Sequence, residues 1–147
     1  LEQSYALWKT KANSIIIGIF DHDRAGLSSY RGLCNDFEEL EKDSIKKHKN
    51  GNIYALCMPV PGEMAQYLQP RQEFNFFEIE HYFGHDYLKK AGILKKTELA
   101  DIYEIGEKKM KFAQSIRKET DPVIFENFLL LLKKIDRIAN VAVNYIL

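Results

Sequence analysis

A continuous run of apolar residues extends from Ile15 to Phe20. It is rich in β-branched residues and shows no polar alternation, which predicts a strand buried on both faces of a parallel sheet. From Ala25 to about Lys42, apolar residues recur at helical spacing and predict an amphipathic helix. The polar stretch Lys46 to Asn52 ends in a turn signal, and Ile53 to Met58 then forms a second short apolar strand.

The predicted order of these elements is strand, helix, strand. A crossover of this length between two buried strands predicts a parallel, right-handed βαβ unit, so the fold class is α/β. The prolines Pro59 and Pro61 then end the second strand and start a loop. Ahead of the first strand, Leu1 to Lys11 carries a partial helical stripe that predicts a short helix.

The C-terminal part of the chain is predicted to be mostly helical. Thr97 to Tyr103 and Glu107 to Lys118 are predicted as two short helices, and a longer one follows with Asp121 as its N-cap and Pro122 at its first position. Its predicted apolar face contains Ile124, Phe125, Phe128, Leu129, Leu132, Ile135, Ile138, Ala139 and Ala142. Residues 1–147 are treated as one domain, with an α/β core over about 1–70 and a helical region over about 71–147.

Composition narrows the class of protein. The 147 residues are 46% hydrophobic and 29% charged, as in a soluble globular domain. No apolar run approaches the roughly 20 residues that span a bilayer, so we expect a cytoplasmic protein without a membrane partner. The net charge of zero argues against a surface that is basic throughout, but it allows a local basic patch. Cys34 and Cys57 are predicted to be free thiols.

Two carboxylates, Asp21 and Asp23, stand where the first predicted strand ends. Period-two geometry points them the same way, and two like charges at the carboxyl end of a strand require a cation or a proton. Mg²⁺ or Mn²⁺ is the expected cation because hard cations prefer carboxylate oxygens. Two alternatives remain: the pair only caps the following helix, or Asp21 is the covalent nucleophile of a phosphotransferase.

The run from Ile15 to Gly26 resembles the Asp-x-Asp-x-Ala-Gly motif of Toprim domains, the metal-binding module of topoisomerases, bacterial primases and OLD-family (overcoming lysogenization defect) nucleases. Further segments resemble the OLD family in particular, so that the resemblance covers almost the whole chain from Ile15 onward. These segments are Met58-Pro59, Phe77-Glu78-Ile79-Glu80-His81-Tyr82-Phe83, Lys109-Met110-Lys111-Phe112-Ala113 and Phe125-Glu126-Asn127-Phe128.

This resemblance implies a Toprim-like partial parallel sheet and a DNA endonuclease with a two-metal site for Mg²⁺ or Mn²⁺. Asp21 and Asp23 would bind metal together with Glu80 or Glu78. Glu80 and Lys109 would be catalytic, with Lys109 neutralising charge on the scissile phosphate. The residues expected to contact the nucleic acid are Arg24, Lys108 and Lys111. An N-terminal ATPase module and a role in phage defence or DNA repair are also implied. A second copy of the chain, forming a homodimer, is a further candidate partner.

The chain departs from the Toprim pattern in one respect. Toprim enzymes have a glutamate at the end of an earlier strand, but only twenty residues precede Asp21, and Glu2 falls within a predicted helix. We therefore expect the missing strand, its glutamate and the ATPase module to lie upstream of Leu1, which would leave this chain inactive alone. A Toprim-like module that binds nucleic acid or protein without chemistry is the alternative.

Two other features of the sequence suggest further hypotheses. His81 and His85 have a spacing that can ligate zinc on one face of a helix. A cluster of aromatic residues could stack on bases, although such clusters more often form core. Its members are Phe74, Phe76, Phe77, Tyr82, Phe83 and Tyr87.

Overall fold

The computed structural model describes residues 14–69, 71 and 75–144, and the predicted helix Leu1 to Lys11 lies outside these ranges. The strands are β1 Ile16–Phe20, β2 His22–Asp23, β3 Phe37–Glu41, β4 Ile45–His48, β5 Ile53–Cys57, β6 Phe76–Phe77, β7 Leu94–Lys96 and β8 Tyr103–Ile105. The α-helices are α1 Arg24–Arg31, α2 His85–Ala91, α3 Lys109–Ile116 and α4 Phe128–Asn144. Short 3₁₀ turns cover Gly62–Tyr67, Ile79–Phe83 and Pro122–Phe125.

A four-stranded mixed sheet in the order β1-β5-β4-β3 forms the centre of the fold. β1 and β5 are parallel neighbours, as the two apolar runs predicted, and β4 is antiparallel to both β5 and β3. All residues of β5 are buried, and they alternate between the two faces. Ala55 and Cys57 pack with α1, whereas Tyr54 and Leu56 belong to the larger core on the opposite face, to which α4 contributes.

The connection between β1 and β5 differs from the predicted single helix Ala25 to Lys42. α1 ends at Arg31, and the residues that follow include β3 and β4. The predicted polar stretch Lys46 to Asn52 therefore begins within β4. Glu38 lies opposite Lys47 and Glu39 opposite Lys46 across these strands. Opposite charges stabilise such cross-strand pairs. In the sequence alone, the same charged residues resemble the polar face of a helix, which is why the sequence predicts a helix here.

The position of β1 in the sheet also differs from the prediction. Within the ranges that the structure describes, β1 pairs only with β5, so it is an edge strand with one open edge. Its residues are half-buried and Ile19 is 44% exposed, which contradicts the prediction of a strand buried on both faces. The β-branched composition favours a strand in either position, because burial depends on what lies beside it.

The C-terminal part contains strands as well as helices. The predicted helix Thr97 to Tyr103 is wrong, since β7 and β8 form a hairpin there and Asp101 in the connecting turn has a left-handed φ of 58°. The helix predicted over Glu107 to Lys118 is confirmed as α3. Leu88, Ile93, Ile105 and Phe112 form a small separate core between the hairpin, α2 and α3.

The last predicted helix is divided in two. Asp121 is a cap as predicted, because its Oδ1 accepts a hydrogen bond of 3.0 Å from the backbone N–H of Val123, but a 3₁₀ turn intervenes before α4 begins. The predicted apolar face is partly wrong, since Leu129 and Leu132 are exposed and Leu131 is buried instead. Within α4, the residues in contact with the core include Phe128, Leu131, Ile135 and Ile138, whose spacing of three and four residues places them on one helix face that excludes Leu129 and Leu132.

Two smaller predictions concern thiols and membrane spans. Cys34 and Cys57 are both free, as expected from their number and spacing. Burial raises the pKa of Cys57 to about 12, so this thiol is neutral at physiological pH. None of the helices that the structure describes is long and apolar enough to cross a membrane.

Glu41, at the end of β3, attaches α4 to the sheet. Its carboxylate accepts a hydrogen bond from Lys134 and lies 3.1 Å from the guanidinium of Arg137. These contacts, with the Lys134 bond as the largest cause, hold the pKa of Glu41 below its ordinary value of 4.5. A carboxyl group with a depressed pKa stabilises the fold above its ordinary pKa, and this stabilisation is lost as the pH falls through the folded-state value.

We therefore expect Glu41→Gln to lower the free energy of unfolding by about 0.5–1 kcal/mol at neutral pH. The difference between the variant and the natural chain should disappear at an acid pH below the pKa of Glu41. Urea unfolding at both pH values measures it, with Glu38→Gln as the control, because the Glu38 side chain is 68% exposed and lies 3.9 Å from Lys49. An equal loss at both pH values would contradict the assigned role.

Candidate functional site

The candidate site begins where β1 ends and α1 starts. Asp23 is the N-cap of α1, because its Oδ1 accepts a hydrogen bond of 2.7 Å from the backbone N–H of Gly26. A Cβ atom added to Gly26 would lie 2.8 Å from the carbonyl carbon of Asp21 and 2.9 Å from its nitrogen, and closer still to its carbonyl oxygen. The first turn of α1 can therefore pack this closely against Asp21 only because residue 26 has no side chain.

Asp21 contacts a segment that is distant in the sequence. Its Oδ1 accepts a hydrogen bond of 3.1 Å from the backbone N–H of Ile79. The short antiparallel pair of β2 with β6 makes this contact possible, since it places His22 opposite Phe77. His22 Nδ1 also lies 2.9 Å from the carbonyl oxygen of Met58, just after β5. The carboxyl ends of β1 and β5 and the residues after β6 thus meet at one place.

Glu78 and Lys109 form an ion pair at this place. The Glu78 side chain is only 14% exposed, whereas that of Lys109, the first residue of α3, is 45% exposed. The pKa of Glu78 is raised, chiefly by burial. The Lys109 ammonium lowers this pKa, and the carboxylates of Glu80 and Asp21 raise it further. Burial alone would lower the pKa of Lys109, but the bond to Glu78 and the neighbouring acids outweigh it and raise the pKa, so the ammonium stays charged.

Asp21 is held in an unfavourable electrostatic environment. Its pKa is raised chiefly by burial, and the charges of Asp23 and Glu80 contribute, against the opposing effects of the Ile79 N–H and Lys109. An acid whose folded-state pKa is raised costs stability when it is ionised at neutral pH. A bound cation or a proton would relieve this cost.

The carboxylates fit a hard divalent cation in their chemistry but do not form a complete cage. Asp21 and Asp23 each use Oδ1 to accept a backbone N–H, and among the residues that the structure describes neither Oδ2 has a hydrogen-bond partner. Within the same residues, no three His, Cys, Asp or Glu side chains are grouped closely enough to hold a metal ion. Mg²⁺ usually binds through one or two carboxylates and keeps several waters, which this arrangement allows.

The residues predicted to contact nucleic acid lie in different places. Arg24 lines an open cleft together with Asp23 and Glu78. Lys108 and Lys109 line a neighbouring groove between the β7–β8 hairpin and the start of α3. Glu104 lines both the cleft and the groove, so the two are adjacent. Lys111 is exposed on α3 but is not among the residues that line either one.

His81 has a structural role that the sequence did not reveal. Its Nδ1 accepts a hydrogen bond of 3.0 Å from the backbone N–H of Glu78, so Nε2 carries the proton and donates to the carbonyl oxygen of Tyr103 at 3.0 Å. Burial lowers the pKa of His81, consistent with a neutral ring. Both nitrogens are occupied, and His85 packs on the ring of Tyr103, so the geometry does not support the zinc alternative.

The aromatic cluster belongs mainly to the core. Phe77 and Tyr82 are fully buried, and Phe83 packs on Phe112 and Phe128. These rings stabilise the segment that carries Glu78 and Glu80 and do not form a platform for bases. Phe74 lies outside the described residues.

Among the polar residues that line the cleft and that sequence reasoning missed are Asn75 and Glu104. Asn75 is buried, and its Oδ1 accepts a hydrogen bond of 2.6 Å from the backbone N–H of Gln69. Glu104 lies in β8, one residue beyond the predicted helix Thr97 to Tyr103, and it pairs with Lys95 at 2.8 Å. Neither residue belongs to a motif, so only the folded chain reveals its place.

Comparison of the chain with protein-family models, with curated proteins and with solved structures gave no match in any of the three. The function of this chain is therefore inferred from its own residues and their geometry.

The close approach of α1 to β1 yields a prediction about stability. Gly26→Ala should lower the free energy of unfolding by about 1–3 kcal/mol, because the added methyl group meets backbone atoms of Asp21 that cannot rotate away. Gly62→Ala is the matched control, since an added Cβ there meets no atom within 4 Å. Thermal and urea unfolding measure both variants, and equal stability of the two would contradict the packing described.

Proposed function

We propose that this chain is part of a Toprim-type phosphodiesterase that depends on a divalent metal and acts on nucleic acid. The observation that carries the proposal is the convergence of Asp21, Asp23, Glu78, Glu80 and Lys109 at the carboxyl end of β1. These residues are up to 88 positions apart in the sequence. They are also the residues that the resemblance to OLD-family nucleases selects.

Each residue of the site would have a distinct role in phosphodiester hydrolysis. The free carboxylate oxygens of Asp21 and Asp23 would hold Mg²⁺ or Mn²⁺, with Glu80 or Glu78 nearby as a further acid. The bound cation would lower the pKa of a water nucleophile and stabilise charge on the phosphate oxygens. Lys109 would add positive charge beside the phosphate, and its contact with Glu78 keeps it directed at the acidic cluster.

The open edge of β1 is consistent with a further strand at the site. Toprim enzymes carry an additional glutamate at the end of a strand, and in the part of the chain that the structure describes no strand pairs with this edge of β1. Carboxyl ends of parallel strands meet at one edge of a sheet, so a parallel strand on β1 would place its last residue next to Asp21. An OLD-type nuclease would also have an ATPase module.

A second candidate function is nucleic-acid binding without chemistry. The observation that favours this function is that, within residues 14–69, 71 and 75–144, no third side chain lies close enough to complete a metal site. Arg24 and Lys108 lie in adjacent openings on either side of the Glu78–Lys109 pair and could track a phosphate backbone.

Metal binding is the first property to test. Calorimetric titration of Mg²⁺ and Mn²⁺ into the chain should show saturable binding that is lost in Asp21→Asn with Asp23→Asn. Asparagine keeps the oxygen that accepts the N–H of Ile79 or Gly26, so the double variant should fold and be as stable as the natural chain or slightly more so. Glu63→Gln with Glu98→Gln removes two exposed charges elsewhere and should leave binding unchanged.

The outcome separates the two candidates. Binding that depends on Asp21 and Asp23 would support the nuclease, and cleavage of plasmid DNA should then be assayed after a glutamate-bearing upstream segment is joined to the chain. Binding that is absent, or unchanged in the double variant, would contradict the metal site. Unfolding of the double variant would show that the pair is structural.

Nucleic-acid binding can be tested without metal. Replacing both Arg24 and Lys108 with glutamine should weaken the binding of a DNA oligonucleotide and reduce the salt dependence of its affinity by about one unit of slope or more, because fewer counterions are released. Fluorescence anisotropy at several salt concentrations measures both effects. Lys42→Gln, a neutralised exposed lysine on the turn after β3, is the control. If Lys42→Gln weakened binding equally, Arg24 in the cleft and Lys108 in the groove would have no specific role in binding nucleic acid.

A further inference from the structure

One face of α4 exposes leucine side chains to solvent. Leu129, Leu130 and Leu132 are 54%, 38% and 50% exposed, and Val123 in the preceding 3₁₀ turn is 60% exposed. We call these four residues the leucine face. The opposite side of α4 packs into the core through Leu131 and Ile138. A contiguous apolar patch of this kind on a folded domain indicates a site of association.

Two charged residues, Glu126 and Lys133, flank the three leucines of the leucine face along the chain. Glu126 and Lys133 are seven residues apart, which is close to two helical turns, so they lie on the same side as Leu129. The backbone at Glu126 is already helical, with φ −58° and ψ −39°. Both side chains are exposed, and in the described part of the chain neither takes part in an ion pair.

This pattern is complementary to itself. If a second α4 lies antiparallel on the first with a two-fold axis beside Leu129, then Leu129 of each copy faces Leu130 of the other. Glu126 of each copy then faces Lys133 of the other, so the contact contains two identical ion pairs with apolar residues between them. An isologous contact requires this kind of self-complementarity, which a patch without paired charges would not show.

We infer that a second copy of this chain docks on the leucine face through an antiparallel α4–α4 contact. The groove beside the face extends the apolar area, because Phe83 and Phe125 line it together with Leu129 and Leu132. This inference does not rest on the proposed function, since none of the residues in the contact belongs to the candidate site.

Sedimentation of the chain over a wide concentration range tests the inference. The natural chain should form dimers as the concentration rises, and Leu129→Glu should abolish them. Glu126→Lys alone, or Lys133→Glu alone, should weaken dimerisation about tenfold, because each turns both ion pairs into like-charge contacts. Combining the two substitutions restores both pairs with reversed polarity and should return the affinity to within about threefold of the natural value.

Met110→Glu is the control, because Met110 is 76% exposed on α3 and should not affect dimerisation. Circular dichroism should show that all variants keep their helix content, since every substituted residue is exposed. A natural chain that stays monomeric at the highest concentration would overturn the inference. A double charge variant that associates no better than the single variants would overturn the antiparallel arrangement.

Discussion

The structure depends on the close packing of Gly26 against the backbone of Asp21. The chain must leave β1 and enter α1 within a few residues, and this turn is possible only because Gly26 carries no Cβ. Three consequences follow from it. Asp23 becomes the cap of α1, the extended residues between Asp21 and α1 are free to pair with β6, and that pairing brings Ile79 to Asp21. The site therefore depends on the close approach of Gly26 to Asp21 and on the short pairing of β2 with β6 that this approach permits.

The electrostatics of the site distinguish it from an ordinary ion-pair network. Surface acids that serve only stability are expected to have lowered pKa values, as Glu41 has beside Lys134. Asp21 and Glu78 have raised pKa values although each accepts a hydrogen bond, because burial and neighbouring carboxylates outweigh the N–H of Ile79 and the ammonium of Lys109. Keeping these two carboxylates ionised at neutral pH costs the folded state stability. Because they lie at the carboxyl end of a parallel strand pair, where ligands bind in such sheets, this cost favours a functional role for them over a purely structural one.

The parts of the fold that local patterns determine could be predicted from the sequence, and the parts that tertiary pairing determines could not. The continuous apolar runs predicted β1, β5 and their parallel pairing, and Asp121 with Pro122 predicted a helical start. β3 and β4 were missed because their charged residues are also compatible with the polar face of a helix. Only the pairing of the two strands across the sheet determines that this segment is extended. For the site, a motif identified Asp21 and Asp23, whereas no sequence signal pointed to the contact with Ile79 or to the support from His81.

The 3₁₀ turn Ile79–Phe83 connects the candidate site to the start of α4. At its beginning, the Ile79 N–H contacts Asp21, and at its end Phe83 packs on Phe128, with ring centroids 4.9 Å apart. Between them, Tyr82 donates a hydrogen bond to the carbonyl oxygen of Pro59 and accepts one of 2.9 Å from Asn127 through its own carbonyl oxygen. The turn thus contacts the loop after β5, the start of α4 and Asp21. The backbone that carries Glu80 therefore packs on the residues that start α4, so we expect a displacement of one to disturb the packing of the other.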